Sequence, residues 1–176
     1  MPEAREKKGK FIRTRSQLLI DDTLLVDFNA DTYMHSLKYD FDLGKLKDVL
    51  ITHVHEDHFY PNDILYRKEG FAPEVEIPTL TFHGSGDLKD DYLYHTHGDY
   101  DTIDRGRIAF HELERYKWYE IAGYRVASLP ATHGTHDPRV YVIQKNGKTA
   151  FILNDSGMMR QENFEWLKNE KVKFDL

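Results

Sequence analysis

The chain has 176 residues, of which 40% are hydrophobic and 31% are charged, and its formal net charge is −6. This length and composition predict a globular protein with a core of its own, and the mild negative charge disfavours nucleic acid and anionic membranes as partners. The chain has no cysteine, which excludes disulfides and thiolate metal sites and is consistent with a reducing, cytoplasmic setting.

The N-terminal residues 1–10 are polar and basic, and they predict a solvated tail. No apolar segment follows them as a secretory signal requires, and no apolar run in the chain approaches the length needed to cross a bilayer. Residues 11–176 are therefore predicted to form a single domain.

The elements before residue 80 are predicted from short apolar runs and the turn residues between them. Asp21-Asp22 is the turn of a predicted hairpin, and Gly70 ends a predicted helix. Pro73 and Pro78 are predicted to bracket a connection. In chain order these elements are the strands Phe11–Ile20 and Asp22–Asp27, a short helix Asp31–Lys38, the strand Leu46–Thr52, the helix Asn62–Glu69 and the strand Thr79–Phe82.

The second half of the chain predicts one helix, then mostly strands, then another helix. Asn146-Gly147 is a strong signal for a hairpin turn. Residues 171–176 resemble the beginning of one more strand. In chain order the predicted elements are the helix Asp87–Tyr100, the strands Ile108–Leu113, Tyr116–Ile121, Tyr124–Leu129, Val140–Gln144 and Thr149–Leu153, and the helix Glu162–Asn169.

A dense group of metal-ligand side chains follows the predicted strand that ends at Thr52. His53 and His55 leave the strand end on the same side, because strand side chains alternate with period two. Asp57 and His58 follow where the chain turns. Imidazole and carboxylate are the usual protein ligands of a metal such as zinc. The segment therefore predicts part of a two-metal site that distant residues must complete.

Two more candidate ligands, His133 and Asp155, also follow apolar strands. A single histidine or aspartate is more often structural. Functional side chains, however, commonly gather in the loops at one end of a rigid sheet, and the cluster at 52–58 requires partners. Both residues are therefore predicted to join it.

The segment Thr52–His58 resembles the His-x-His-x-Asp-His signature of the metallo-β-lactamase fold superfamily. Three further segments are similar to motifs of that superfamily in the same order: Leu24–Asp27, Pro130–His133 and Leu153–Gly157. The match in order and spacing extends over about residues 16–160. The resemblance implies an α/β (α+β) fold, namely a metallo-β-lactamase-like αββα sandwich.

The resemblance also implies a role for each matched residue and two divalent metal ions, with zinc favoured over manganese. Asp27 would lie behind the ligands and orient them. The implied ligands are His53, His55 and His133 for the first metal, Asp57 and His58 for the second, and Asp155 as the bridge between them.

The sequence departs from the superfamily pattern at its C-terminal end. The pattern continues with a further histidine for the second metal, whereas no histidine follows His136. We therefore expect a chain that lacks the C-terminal strands and helix of the fold, with a weaker second metal site. An apolar sheet face left bare in this way would favour association, for example a homodimer.

The resemblance is strongest to the phosphodiesterase branch of the superfamily, because of the segment His133–Arg139 and the hairpin that leads to Asp155. It implies hydrolysis by a metal-bound hydroxide, with Asp57 aiming the water. The acidic charge favours a small phosphodiester over RNA as the substrate. His136 either donates to the phosphate or leaving group or is an ordinary loop histidine. Hydrolysis of a lactone or thioester and a non-catalytic binding role are the alternatives.

The remaining histidines are interpreted as structural or surface residues. His83 follows a strand and could line the site, but a surface position is favoured. His95 and His97 are two residues apart and cannot share a helix face. The others in this group are His35 and His111.

Overall fold

The computed structural model describes residues 2–71 and 76–176, so Pro73 of the predicted connection lies outside the described residues. The helices are α1 (Pro2–Lys7), α2 (Thr32–Tyr39), α3 (Leu88–His95), α4 (Asp101–Asp104) and α5 (Gln161–Asn169), with 3-10 helices at Gly9–Phe11 and Pro61–Arg67. The strands are β1 (Leu18–Ile20), β2 (Leu24–Val26), β3 (Asp48–Leu50), β4 (Leu80–Gly84), β5 (Ile108–Glu112), β6 (Trp118–Ile121), β7 (Tyr124–Pro130), β8 (Arg139–Lys145) and β9 (Lys148–Ile152).

The described strands form two sheets. The first has the order β1-β2-β3-β4-β5, in which β1 and β2 are antiparallel and all later pairs are parallel. The second has the order β6-β7-β8-β9 and is antiparallel throughout. Each described helix is too short or too polar to cross a lipid bilayer.

Alternating side chains divide the core into three layers. In β2, Leu24 and Val26 pack between the two sheets, while Leu25 packs on the opposite face of the first sheet. In β8, Tyr141 packs between the sheets and Val142 packs on the outer face of the second sheet. Helix α3 covers the first sheet through Leu88 and Tyr92, and α5 covers the second through Leu167. These layers are the predicted αββα sandwich.

The predicted elements are present with bounds that differ by a few residues, and three differ for identifiable reasons. The strand predicted from Phe11 begins only at Leu18. The helix predicted at Asn62–Glu69 is a 3-10 helix that begins with Pro61, a residue suited to a first helical turn. The helix predicted at Asp87–Tyr100 ends at His95; Gly98 then adopts a φ of +82° and donates its amide to Leu93 O at 2.8 Å.

The structure gives the positions of residues 2–10 and 171–176, for which the sequence predicted only a solvated tail and the beginning of a strand. The N-terminal segment contains the short helix α1, which has no buried residue. Residues 171–176 lie beside β9 without forming a strand. The amide of Asp175 donates to Thr149 O at 2.8 Å, and the amide of Phe151 donates to Leu176 O at 3.0 Å.

A substitution at Gly84, the last residue of β4, tests how tightly the first sheet packs. A Cβ at this position would lie 2.8 Å from Leu88 Cδ1 and 2.9 Å from Ile51 O. We expect Gly84→Ala to lower the free energy of unfolding by about 1–3 kcal/mol, the usual cost of overpacking a core. Urea denaturation of the purified variant measures this. Gly70→Ala is the matched control, since no described atom lies within 4 Å of its Cβ, and equal stability of the two variants would contradict the expectation.

Candidate metal centre

The site begins where β2 and β3 end side by side. Asp27 follows β2 with a φ of +67°, and its amide donates to Leu50 O at 2.8 Å. Beyond β3 the chain continues along β4, where the amide of Ile51 donates to His83 O at 2.8 Å. This geometry brings the side chains of Asp27 and Thr52 together at the carboxyl ends of β2 and β3 in the first sheet.

The carboxylate of Asp27 is fully buried and is held by hydrogen bonds from three parts of the chain. Its Oδ1 accepts from both the amide and the hydroxyl of Thr52, each at 2.8 Å. Its Oδ2 lies 2.8 Å from His58 Nδ1 and 3.3 Å from Asn154 Nδ2. A carboxylate accepts and cannot donate, so His58 carries its proton on Nδ1. The Nε2 of His58 points the other way and lies 3.2 Å from Asp155 Oδ2.

The same carboxylate orients His53 through the hydroxyl of Thr52. That hydroxyl donates to Asp27, so its oxygen can accept from His53 Nδ1, which lies 3.0 Å away. His53 Nε2 is then the ring nitrogen with the lone pair. It is buried and has no hydrogen-bond partner among the described residues. An orphaned buried nitrogen of this kind is the arrangement that a bound cation satisfies.

Three imidazoles from two loops surround one point. His53, His55 and His133 each present a ring nitrogen, and these three atoms lie within 4.8 Å of one another. His133 Nε2 lies 3.2 Å from His55 Nδ1. The three residues predicted for the first metal thus lie together, and their donor set suits zinc or a similar ion.

A second trio shares His53 with the first. Ligand atoms of His53, His58 and Asp155 also lie within 4.8 Å of one another. Asp155 Oδ2 is 3.2 Å from His58 Nε2 and 4.0 Å from His133 Nε2. This carboxylate therefore lies between the two groups of histidines, at the place where a bridging ligand is predicted.

The two buried histidines have pKa values shifted in opposite directions. Burial lowers the pKa of His53 to about 4, and the neighbouring imidazoles add to that effect. Burial also opposes protonation of His58, but the hydrogen bond to Asp27 and the nearby carboxylates outweigh it and raise the pKa of His58. At neutral pH His53 is thus an unprotonated ligand, whereas His58 is polarised by a carboxylate behind it, which strengthens a metal ligand.

The loops that carry His133 and Asp155 are bonded directly to each other. Thr132 O accepts from the amide of Gly157 at 2.8 Å, and Thr132 Oγ1 donates to Met158 O at 2.8 Å. The amide of Arg139 donates to Thr52 O at 2.7 Å and attaches the first of these loops to the histidine cluster. These contacts fix the distance between ligands that are far apart in sequence.

Two predicted site residues lie at the rim, outside both trios. The Asp57 side chain is 59% exposed, and its Oδ2 is 3.7 Å from His58 Nε2. The His136 side chain is 85% exposed, and its Nδ1 is 3.6 Å from Asp87 Oδ2. Their predicted roles as ligand and catalytic groups remain predictions.

The structure also places the other histidines. The favoured surface position of His83 is wrong: the side chain is buried, and its ring lies 2.8 Å from Asp48 Oδ1 and 3.0 Å from His111 Nδ1. His35 is buried against Gln17, in agreement with its structural interpretation. Asn154 was not predicted as a site residue, although its place beside Asp155 at the end of β9 was an available signal.

Comparisons with known proteins identify similar structures. No protein-family model and no curated protein matches the chain. Three solved structures that are similar are a diphosphatase of the PhnP family (19% identity, TM-score 0.57), the short form of human tRNase Z (15%, 0.59) and the metallo-β-lactamase fold protein YhfI from Bacillus subtilis (17%, 0.56).

The similarity covers most of this chain and a smaller part of each neighbour. It spans 77% of this chain against the diphosphatase, 88% against tRNase Z and 77% against YhfI. In the other direction it covers 51%, 70% and 52% of those chains. The chain thus spans about half the length of two of the three neighbours.

Asp27→Asn tests the role of the carboxylate behind the ligands. An asparagine keeps one acceptor oxygen for Thr52, but its amide nitrogen cannot accept from His58 Nδ1, so the variant loses the contact that orients the His58 ring. We expect zinc affinity to fall by about 10–100-fold, as is usual when a residue supporting a ligand is lost. Competition with a chromophoric chelator measures it. The exposed Asp22→Asn is the control, and unchanged affinity in Asp27→Asn would refute the role.

The pKa of His53 predicts a pH dependence of stability in the metal-free protein. The unfolded chain binds a proton at His53 near pH 6.5, whereas the folded chain does so only near about pH 4. Between these values the unfolded state holds more protons, so this contribution to stability is lost as the pH falls. As the pH falls over this range, we expect the free energy of unfolding to decrease more in the native sequence than in His53→Gln. Urea titrations at several pH values in the presence of a chelator measure this. If the two proteins lose stability in parallel as the pH falls, the expectation is wrong.

Proposed function

We propose that this chain, which has the metallo-β-lactamase fold, is a metal-dependent hydrolase whose substrate is a small phosphodiester. The carrying observation is the pair of ligand trios that share His53, with Asp155 of the second trio 4.0 Å from His133 of the first. Such an arrangement suits two divalent ions. The ligand set of nitrogen and oxygen favours zinc, with manganese as the second choice.

Different residues of the chain are proposed to hold each of these ions. His53, His55 and His133 would hold one ion, and His58 and Asp155 would contribute to the other. Bound divalent ions supply Lewis acidity and lower the pKa of a coordinated water from about 15.7 towards about 7. Asp57 is proposed to complete the second site and to accept a hydrogen bond from the attacking water. Its exposed position beside His58 leaves it accessible to both.

The choice of a phosphodiester rests on three supports. Two of the similar structures are named a diphosphatase and a tRNase. The net charge of −6 disfavours a long nucleic acid and favours a small substrate. His136 at the rim has room to donate to a phosphate oxygen or a leaving group, since only Asp87 lies close to it among the described residues. A homodimer and a cytoplasmic location are further parts of the proposal, the latter supported by the absence of cysteine.

A non-catalytic binding role is the second candidate. The observation that favours it is the rim position of Asp57. This residue lies outside both trios and leaves the second ion with the buried His58 and the half-exposed carboxylate of Asp155. In that case the site would bind a metal ion and an anionic ligand without turnover.

Hydrolysis of bis(p-nitrophenyl) phosphate by the zinc-loaded chain tests the main proposal. We expect turnover together with about two bound ions per chain, measured by elemental analysis. His55→Asn should reduce kcat/KM by more than about 100-fold, because it removes a ligand itself rather than a supporting residue. His97→Asn is the matched control, since His97 is exposed and has a φ of +54°, which asparagine tolerates.

The outcomes separate the candidates. Turnover of a lactone or thioester without any phosphodiester cleavage would overturn the substrate and leave the hydrolase. Bound metal without turnover of any ester class would favour the binding role. Asp57→Asn and His136→Gln then test the two rim residues separately. The first variant should lower both the metal content and kcat, and the second should lower kcat alone.

A further inference from the structure

A cavity lies beside the segment that follows Asp27. Its volume is about 520 Å³, which is within the range of small-molecule pockets. Six of its lining side chains are apolar or aromatic and one is a carboxylate. They are Phe28, Ala30, Tyr33, Met34, Leu43, Tyr66 and Asp63.

Asp63 is the charged side chain of this pocket. No described residue forms a hydrogen bond or ion pair with it, and burial alone raises its pKa. Thr32, which also lines the cavity, already accepts a hydrogen bond from Gln17 Nε2 at 2.8 Å. The neighbouring cation Arg67 donates to the carbonyls of Leu43 and Pro78. The carboxylate of Asp63 is therefore available to a ligand.

Three aromatic rings surround the cavity at different depths. Phe28 is 6% exposed and packs edge-on against Phe82, with ring centroids 5.8 Å apart. Tyr33 and Tyr66 are 62% and 63% exposed. The ring of Tyr66 is held by an edge contact with Phe71 at 5.3 Å. The pocket thus has an aromatic floor and two aromatic walls that remain accessible.

The two segments that line the pocket are joined by backbone hydrogen bonds. The amide of Phe28 donates to His58 O at 2.8 Å, and the amide of Tyr60 donates to Phe28 O at 2.7 Å. Phe28 therefore holds a fixed position relative to the 3-10 helix that carries Asp63 and Tyr66. This part of the lining is therefore held in place by the protein itself.

We propose that this pocket binds an organic cation of the quaternary ammonium class, with Asp63 as its counter-ion and the aromatic rings around its alkyl groups. Aromatic faces attract such cations, which bind with little dehydration cost. A metal ion would require several oxygen ligands, whereas the pocket offers one free carboxylate. A neutral apolar ligand would bury that carboxylate without compensation. The proposal is independent of any reaction at the metal centre.

Choline and 3,3-dimethyl-1-butanol test the proposal, since they have nearly the same shape and differ by one positive charge. Titration calorimetry on the full chain should show choline binding at least about 10-fold more tightly than the alcohol. Asp63→Asn should bring the two affinities to about the same value. Tyr66→Leu, which keeps an apolar wall but removes the ring, should weaken choline by about 5-fold and leave the alcohol nearly unchanged.

The control variant is Asp104→Asn, which removes an exposed carboxylate outside the pocket and changes net charge equally. It should retain the preference for choline. Equal binding of choline and the alcohol by the native chain, or no saturable binding of choline, would overturn the proposal. If Asp63→Asn has a native circular dichroism spectrum and still prefers choline, the cation binds elsewhere. That result would overturn the proposal as well.

Discussion

The buried carboxylate of Asp27 is the interaction on which the candidate centre depends. A charged group removed from water is costly unless donors surround it, and here the donors come from separate segments. Thr52 provides two of them, His58 a third and Asn154 a fourth. Asn154 belongs to the end of the second sheet, whereas Asp27 and Thr52 belong to the first. One carboxylate therefore links the two sheets at the edge where the ligands gather.

The topology explains why the other ligands reach that edge. Strands β2, β3 and β4 are parallel, so their carboxyl ends lie together. In the antiparallel second sheet, β7 and β9 flank β8 and therefore run in the same direction as each other. Their ends lead to His133 and Asp155. The amide of Arg139, the first residue of β8, bonds to Thr52 O, so both sheets present their ligand-bearing ends to the same space.

The sequence was sufficient for the features that follow from local pattern. Short apolar runs and turn residues predicted the order of the strands, and candidate ligand side chains were recognisable because they follow strand ends. Features that depend on tertiary neighbours were out of reach. His83 was expected at the surface because nothing local reveals that Asp48 and His111 enclose it. The contacts of Thr132 with Gly157 and Met158, and the pocket around Asp63, likewise arise only when distant segments meet.

The opposite pKa shifts of two histidines in one loop show how the same carboxylate serves both ligands. His58 contacts Asp27 directly, so the negative charge favours its protonated form. His53 is one hydroxyl further away, behind Thr52, so it receives the orientation without the full charge, and burial dominates. Both rings nevertheless have Nδ1 held from behind, so that Nε2 points into the space where the ligands gather. The spacing of Asp27, Thr52 and the two rings therefore sets the orientation of both histidines, the kind of support that metal ligands generally have.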